Sequence, residues 1–290
     1  MPALVGAMRG VPRWLAMAFL VLPSLALLYV LVLPSGPQCG SAGALAIDPE
    51  YVLAYEGRGL AHYEVEEDEA EADFLYTSTM HGDEIVGFVL MLRLADTLLK
   101  GYGLDNEITT LVDNLQIWIN PLSNPDGSYS GNNGTSLEFA ERENANGADL
   151  NRDFPTPYFG EADNTTGREP ETRYMMNFMK EHQFTLSANL HSGAEVVNYP
   201  WDSWVFQHVD STWYRFVSHE YADEAMAVDP DYMFGWPDDG ITNGAQWYVI
   251  QGGRQDYVNY YLEGREVTLE LSTELRLGAD NLEEYWNINR

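Results

Sequence analysis

A run of strand-forming residues, Phe74-Leu75-Tyr76-Thr77-Ser78-Thr79, leads within a few residues into Ile85 to Leu99, which is strongly apolar and rich in helix formers. The second segment reads as a buried helix. A strand feeding a buried helix needs a sheet face for the helix to cover, and the pattern recurs. Leu115 to Ile119 reads as a short strand, Glu171 to His182 as a helix, Thr185 to Leu190 as a strand ending at His191, and Glu266 to Leu271 as an alternating strand. Strands alternating with helices predict an α/β sheet. Between them lie the loop NPLSNPDG, an Asn- and Gly-rich loop region at 128–168, and an aromatic, irregular stretch at 198–264 with a tight turn at Gly252-Gly253. No internal repeat is present. At 290 residues, 45% of them hydrophobic, the chain can bury one large α/β core or two small ones.

Charge narrows the function classes. The formal net charge is −30, from 45 acids against 15 bases. A nucleic-acid binder working through a basic face is excluded, because phosphate affinity rests on Lys and Arg. Only Lys100 and Lys180 are lysines. Such a surface suits solubility in strong salt; an ordinary acidic exported protein gives the same composition. From Glu64 to Asp73 the acids form a run that reads as a solvated loop. Cys39 is the single cysteine, so a disulfide within the chain and a cysteine zinc site are both excluded. No phosphate-binding glycine loop is present.

At the N-terminus, Arg9 and Arg13 precede an apolar run from Trp14 to Leu33, interrupted only by Pro23 and Ser24. This pattern predicts an export signal, and the run is also long enough for an uncleaved membrane anchor. Ala44-Leu45-Ala46 fits a small-residue cleavage pattern. The expected division is 1–46 as export signal or membrane anchor with linker, and 47–290 as the folded domain. The protein is expected to be periplasmic, extracellular or membrane-anchored facing outward.

The sharpest chemical signal is His81-Gly82-Asp83-Glu84, after a strand and opening a helix. A His and a Glu three residues apart can turn one nitrogen and one carboxylate oxygen to the same side. A hydrolytic zinc site needs three protein ligands and an open position. Of the six histidines, His191 stands at the carboxyl end of its strand, where α/β sheets place their sites, and Ser192-Gly193 leave room beside it. His62, His182, His208 and His219 read as surface residues.

The segments YTSTMHGDE, NPLSNPDG, RENANGADLNRDFP, SANLHSGAEVVNYPWD, GITNGAQWY, GGRQDY and EVTLEL together resemble the zinc carboxypeptidases, nearest the branch of carboxypeptidases D, E and N and its bacterial members. They occur in family order over about four-fifths of the chain. The resemblance implies a mixed, mostly parallel twisted sheet flanked by helices, and one Zn²⁺ per chain. It implies that His81, Glu84 and His191 are the zinc ligands and that Glu270 is the general base. It implies that Arg142 stabilises the oxyanion, that Asn151 and Arg152 bind the substrate's terminal carboxylate, and that Tyr248 caps that carboxylate from a mobile loop. Asp202, eleven residues after His191, would face the base of the side-chain pocket with Gln255 beside it. A carboxylate there would pair with a C-terminal Arg or Lys. The partners implied are peptide or protein C-termini; the sequence does not define an oligomeric state.

Some features depart from the family pattern. Glu56-Gly57-Arg58 matches a family motif that a strand and a long helix usually precede, yet only residues 47–55 separate it from the export region. A first strand and helix are therefore expected to be missing. The final helix and β-sandwich of the branch are likewise expected to be absent. Two competing functions stand beside the exopeptidase: a related zinc amidohydrolase or deacylase, and an inactive fragment acting as a binding module.

Overall fold

The computed structural model describes residues 16–21, 27–32, 72–131 and 136–290. Eight strands form one sheet: β1 (Ala16–Val21), β2 (Leu27–Val32), β3 (Ala72–Ser78), β4 (Leu115–Leu122), β5 (Leu186–His191), β6 (Ala194–Tyr199), β7 (Ile241–Asn243) and β8 (Glu266–Ser272). Their order is β1-β2-β4-β3-β5-β8-β6-β7. Only β1 with β2 and β6 with β8 run antiparallel; the other neighbours are parallel. The mixed, mostly parallel sheet expected from sequence is thus present.

Among the described residues, six helices of eight residues or more accompany the sheet: α1 (Val86–Gly101), α2 (Asn106–Asn114), α3 (Pro170–His182), α4 (Ser211–Val228), α5 (Arg254–Tyr261) and α6 (Ala279–Asn289). They cover both sheet faces, and β3 shows how. Its residues alternate, so Phe74 and Tyr76 pack into one core with Val86 and Leu90 of α1 and Ala222 of α4. Leu75 points to a second core, with Met175 and Met179 of α3 and Tyr257 of α5. Burial on both faces explains why Ile117, Trp118 and Ile119 of β4 are consecutive apolar residues and not an alternation.

Several elements differ from the sequence reading or were not read from it. Residues 198–264 are not irregular, since α4 and α5 lie within them. The many aromatics of α4 hide its period, but Tyr214, Ser218, Ala222 and Ala225 are buried along a single helical face. Helix α2 was not assigned from sequence, and its Ile, Thr and Val residues favour strand locally; its start is fixed by Asp105, whose side chain accepts from Glu107 N and Ile108 N. A terminal helix, α6, is present. Within the apolar run 14–33 the structure forms β1 and β2, with β2 extending the sheet beyond β4. Among the described residues no helix is long and apolar enough to cross a membrane. Cys39, Glu56-Gly57-Arg58, His62 and the boundary at 46/47 lie outside the described residues. His182 is not a free surface residue; its ring packs 4.3 Å from Trp118 and 4.6 Å from Phe178.

Trp286 joins α6 to the rest of the fold. It is buried in the core, and the guanidinium of Arg93 lies 4.8 Å from its ring centroid. Trp286→Ala should cost about 3–5 kcal/mol of stability, read as a lower denaturation midpoint. A loss below about 1 kcal/mol would mean that α6 is not part of the cooperative unit.

Candidate active site

The carboxyl ends of β3, β5 and β8 lie side by side, and the functional side chains leave from them. After β3 the chain makes the tight turn His81-Gly82-Asp83-Glu84, closed by Glu84 N donating to His81 O at 3.2 Å. Gly82 is required by space: a Cβ there would stand 2.4 Å from the backbone of Gly127 and Ser128. Gly82 N also donates to Arg142 O, which fastens the Asn- and Gly-rich loop to this turn. His191 ends β5 and pairs in register with Glu270 of β8, so both side chains leave the same sheet face.

His81, Glu84 and His191 converge. Glu84 Oε1 is 2.7 Å from His81 Nδ1, Glu84 Oε2 is 2.8 Å from His191 Nδ1, and the two Nδ1 atoms are 3.1 Å apart. The far nitrogen of each ring is already engaged. His81 Nε2 meets Asp149 Oδ1 at 3.1 Å, and His191 Nε2 meets the Asn189 side-chain amide at 2.9 Å. Two inward nitrogens and one carboxylate, each held from behind, fit a zinc ion with an open fourth position. Among the described residues this is the one group of three or more His, Cys, Asp or Glu side chains arranged to hold a metal ion.

The electrostatics separate the carboxylates. Burial would raise Glu84, but His191 and His81 outweigh it and hold it well below the usual carboxylate range. Asp149 is also lowered: His81 and Arg142 overcome its burial. Arg142 bridges the two, with Nη1 donating to Glu84 Oε1 at 3.2 Å, and Nε and Nη2 donating to Asp149 Oδ2 at 3.1 and 3.0 Å. Glu270 shows the opposite behaviour. Burial, then the charge of Glu84, push it well above its ordinary value, and its Oε2 is buried without a hydrogen-bond partner.

A second cluster surrounds Asp202, which is 3% exposed. Its Oδ1 accepts from Asn198 Nδ2 at 3.0 Å and from Gln255 Nε2 at 2.9 Å. Gly244 permits this packing, because a Cβ there would stand 1.8 Å from Asp202 Oδ1. Asn151 Oδ1 accepts from Arg254 N at 3.0 Å, while Arg152 is exposed and donates to Asn151 O. Tyr248 is half exposed, its ring edge-on to Trp247. Burial raises the Tyr248 hydroxyl, Glu270 and Asp202 add to the rise, and Arg152 and Arg142 oppose it. Sequence reasoning missed Asp149 and Asn189. For Asn189 a signal existed: it stands two residues before His191 on a strand and therefore shares its face.

The Asp202 environment gives a pH test. Burial, then Asp256, push its carboxyl well above the usual range. A raised folded pKa gives stability that is present at low pH and lost as pH rises through the folded value. Asp202→Asn removes that loss, so its stability relative to wild type should improve as pH rises from about 4, the value of an unfolded Asp carboxyl, towards neutrality in denaturant unfolding. A difference that stays constant over this window would contradict a carboxyl raised by burial.

A family profile described as "Zinc carboxypeptidase" matches residues 52–290. The chain is 38% identical over 228 residues to "Carboxypeptidase SOL1" of Arabidopsis thaliana, covering 77% of this chain and 44% of that protein. It is 37% identical over 232 residues to human "Carboxypeptidase D", covering 76% and 17%. Over 235 residues it is 37% identical to mouse "Carboxypeptidase M", covering 75% and 51%. The chain thus spans about half the length or less of these relatives. Among solved structures, carboxypeptidase A from Helicoverpa armigera superposes with a TM-score of 0.60 at 19% identity, over 77% of this chain and 59% of that one. Bovine thrombin-activatable fibrinolysis inhibitor, in complex with tick carboxypeptidase inhibitor, gives 0.62 at 15% identity, over 76% and 78%. At these identities the likeness shows a shared fold.

Proposed function

Because the chain belongs to the zinc carboxypeptidase family, we propose that it is a zinc-dependent metallocarboxypeptidase that hydrolyses the C-terminal peptide bond of peptides or proteins, with preference for C-terminal Arg or Lys. The observation that carries this reading is Glu270: a buried carboxyl, register partner of His191, with one oxygen left unpartnered beside the ligand cluster. Zinc held by His81, Glu84 and His191, one ion per chain, would bring a water molecule's pKa to about 7 and polarise a carbonyl. Glu270 accepts the proton of the attacking water and returns it to the leaving amine. Arg142 stabilises the developing oxyanion through Nη1, with Asp149 gripping the other edge of its guanidinium. Asn151 and Arg152 bind the substrate's terminal carboxylate, the arginine as a two-pronged donor. Tyr248 closes over it.

The preference for Arg or Lys rests on Asp202 and its neighbours. Asn198 Oδ1, Asn243 Oδ1 and Gln255 Oε1 are buried acceptors with no partner. Asn198 and Gln255 both hydrogen-bond Asp202, so their free oxygens and its carboxyl would give the proposed pocket an acceptor-rich end, suited to the donors of a guanidinium or ammonium group. An apolar side chain would leave all of them unsatisfied. Export belongs to the same proposal, supported by Arg9 and Arg13 ahead of the apolar run. The pairing of β1 and β2 into the sheet gives the competing assignment of that run. Mass spectrometry of the mature N-terminus decides between them.

Two outcomes are expected. Glu270→Gln should retain zinc and lose about 10²–10⁴-fold in kcat; activity within about threefold of wild type would reject the base assignment. Arg-terminated dipeptides should be cleaved over Leu-terminated ones by a factor on the order of 10², and Asp202→Ala should narrow that gap. The preference should persist in high salt, because a buried pair is screened far less than long-range steering. A preference that vanishes in salt would assign it to net charge instead.

A further inference from the structure

Arg254 and Glu266 are both 0% exposed. Arg254 Nε donates to Glu266 Oε1 at 3.0 Å and Nη2 donates to Oε2 at 2.8 Å. Removing two charges from water is costly, and an apolar pair of similar volume often serves stability as well or better. The third guanidinium nitrogen gives this pair another use. Nη1 donates to Thr77 Oγ1, Thr77 Oγ1 donates to Asn189 Oδ1 at 3.3 Å, and the Asn189 amide lies 2.9 Å from His191 Nε2. Thr77 and Asn189 are register partners on β3 and β5, so the links of the chain are fixed by the sheet. Ser187 Oγ donates to Glu266 Oε2 at 2.7 Å and holds the far end.

We propose that Arg254 is a positioning residue, whose buried guanidinium fixes the His191 ring for metal binding through Thr77 and Asn189. The inference rests on the reading of His191 as a zinc ligand. A His191 ring that binds zinc through Nδ1 carries its proton on Nε2, so in the metal-bound form the Asn189 amide, turned by half a rotation, presents Oδ1 to Nε2 and Nδ2 to Thr77 Oγ1. An imidazole held in this way at its far nitrogen keeps its orientation, and partners of this kind commonly govern metal affinity. The residue type follows from the geometry. Only a guanidinium fork can serve both oxygens of Glu266 and still donate to Thr77; a lysine ammonium at the same place cannot span all three. The same residue touches the substrate side of the cleft, since its backbone N donates to Asn151 Oδ1 and the adjacent Gln255 donates to Asp202.

The test uses the full chain, stripped of metal and then titrated with zinc in competition with a chromophoric chelator. Unfolding of the zinc-free protein is followed in parallel. Thr77→Val deletes the hydroxyl link and leaves Arg254 and Glu266 intact, while Thr77→Ser keeps it. Zinc affinity should fall about 10–100-fold in Thr77→Val and remain within about threefold of wild type in Thr77→Ser. Arg254→Lys, which keeps a charge opposite Glu266, should behave as the valine variant does and serves in its place if that variant does not fold. A folded Thr77→Val or Arg254→Lys protein with affinity within about threefold of wild type overturns the proposal. A lowered unfolding temperature with unchanged affinity does so too, since it marks a purely structural role. Wild-type protein that binds no zinc, or His191→Ala with undiminished affinity, removes the ligand assignment itself and the proposal with it.

Discussion

The site is organised around one buried carboxylate. Glu84 lies between two imidazoles, with Arg142 on one of its oxygens and Ser192 N on the other. A charge so far from water survives only with such compensation. The compensation dictates where the chain must go: β3 must end beside β5, the turn after β3 must be tight, and the loop carrying Arg142 must dock on that turn. Gly82 and the bond from its N to Arg142 O meet the last two demands.

Four carboxyl groups near the cleft are then sorted by their surroundings. Glu84 and Asp149 sit against His and Arg and are held low; Glu270 and Asp202 are buried with carboxylate neighbours and are pushed high. Groups of one chemical type thus acquire different tasks, and the separation follows from placement alone. In the proposed reaction the first pair holds structure and metal, while the second pair meets the moving proton and the substrate's cation. A bound dication beside Glu270 would draw its pKa back down, toward the range a general base requires.

Much of this was legible in the sequence, for physical reasons that differ by element. The path from Phe74 through His81-Gly82-Asp83-Glu84 into α1 was readable because the hydrophobic pattern changes period at a chemically distinctive turn. His191 was readable from its place at a strand end. Helix α2 was hidden because its β-branched residues favour strand locally, and α4 because its aromatics lie on exposed and buried faces alike. The apolar run 14–33 offered no period at all, so its composition read as an export signal or a span, and the strands β1 and β2 were not read from it. Asn189 was missed although its place two residues before His191 on one strand signals a shared face; Asp149 and Arg254 were missed because their importance is relational. Each acts through a residue distant in sequence, and single-chain spacing carries no sign of such pairs.

The central claim is that His81, Glu84 and His191 form one three-ligand zinc centre with an open position. X-ray absorption at the zinc edge of the zinc-loaded protein tests it most directly. The account predicts two imidazole nitrogens at about 2.0–2.1 Å and carboxylate oxygen at about 2.0–2.2 Å, with a light-atom fourth neighbour. A first shell containing sulfur, or one without imidazole scattering, would contradict it.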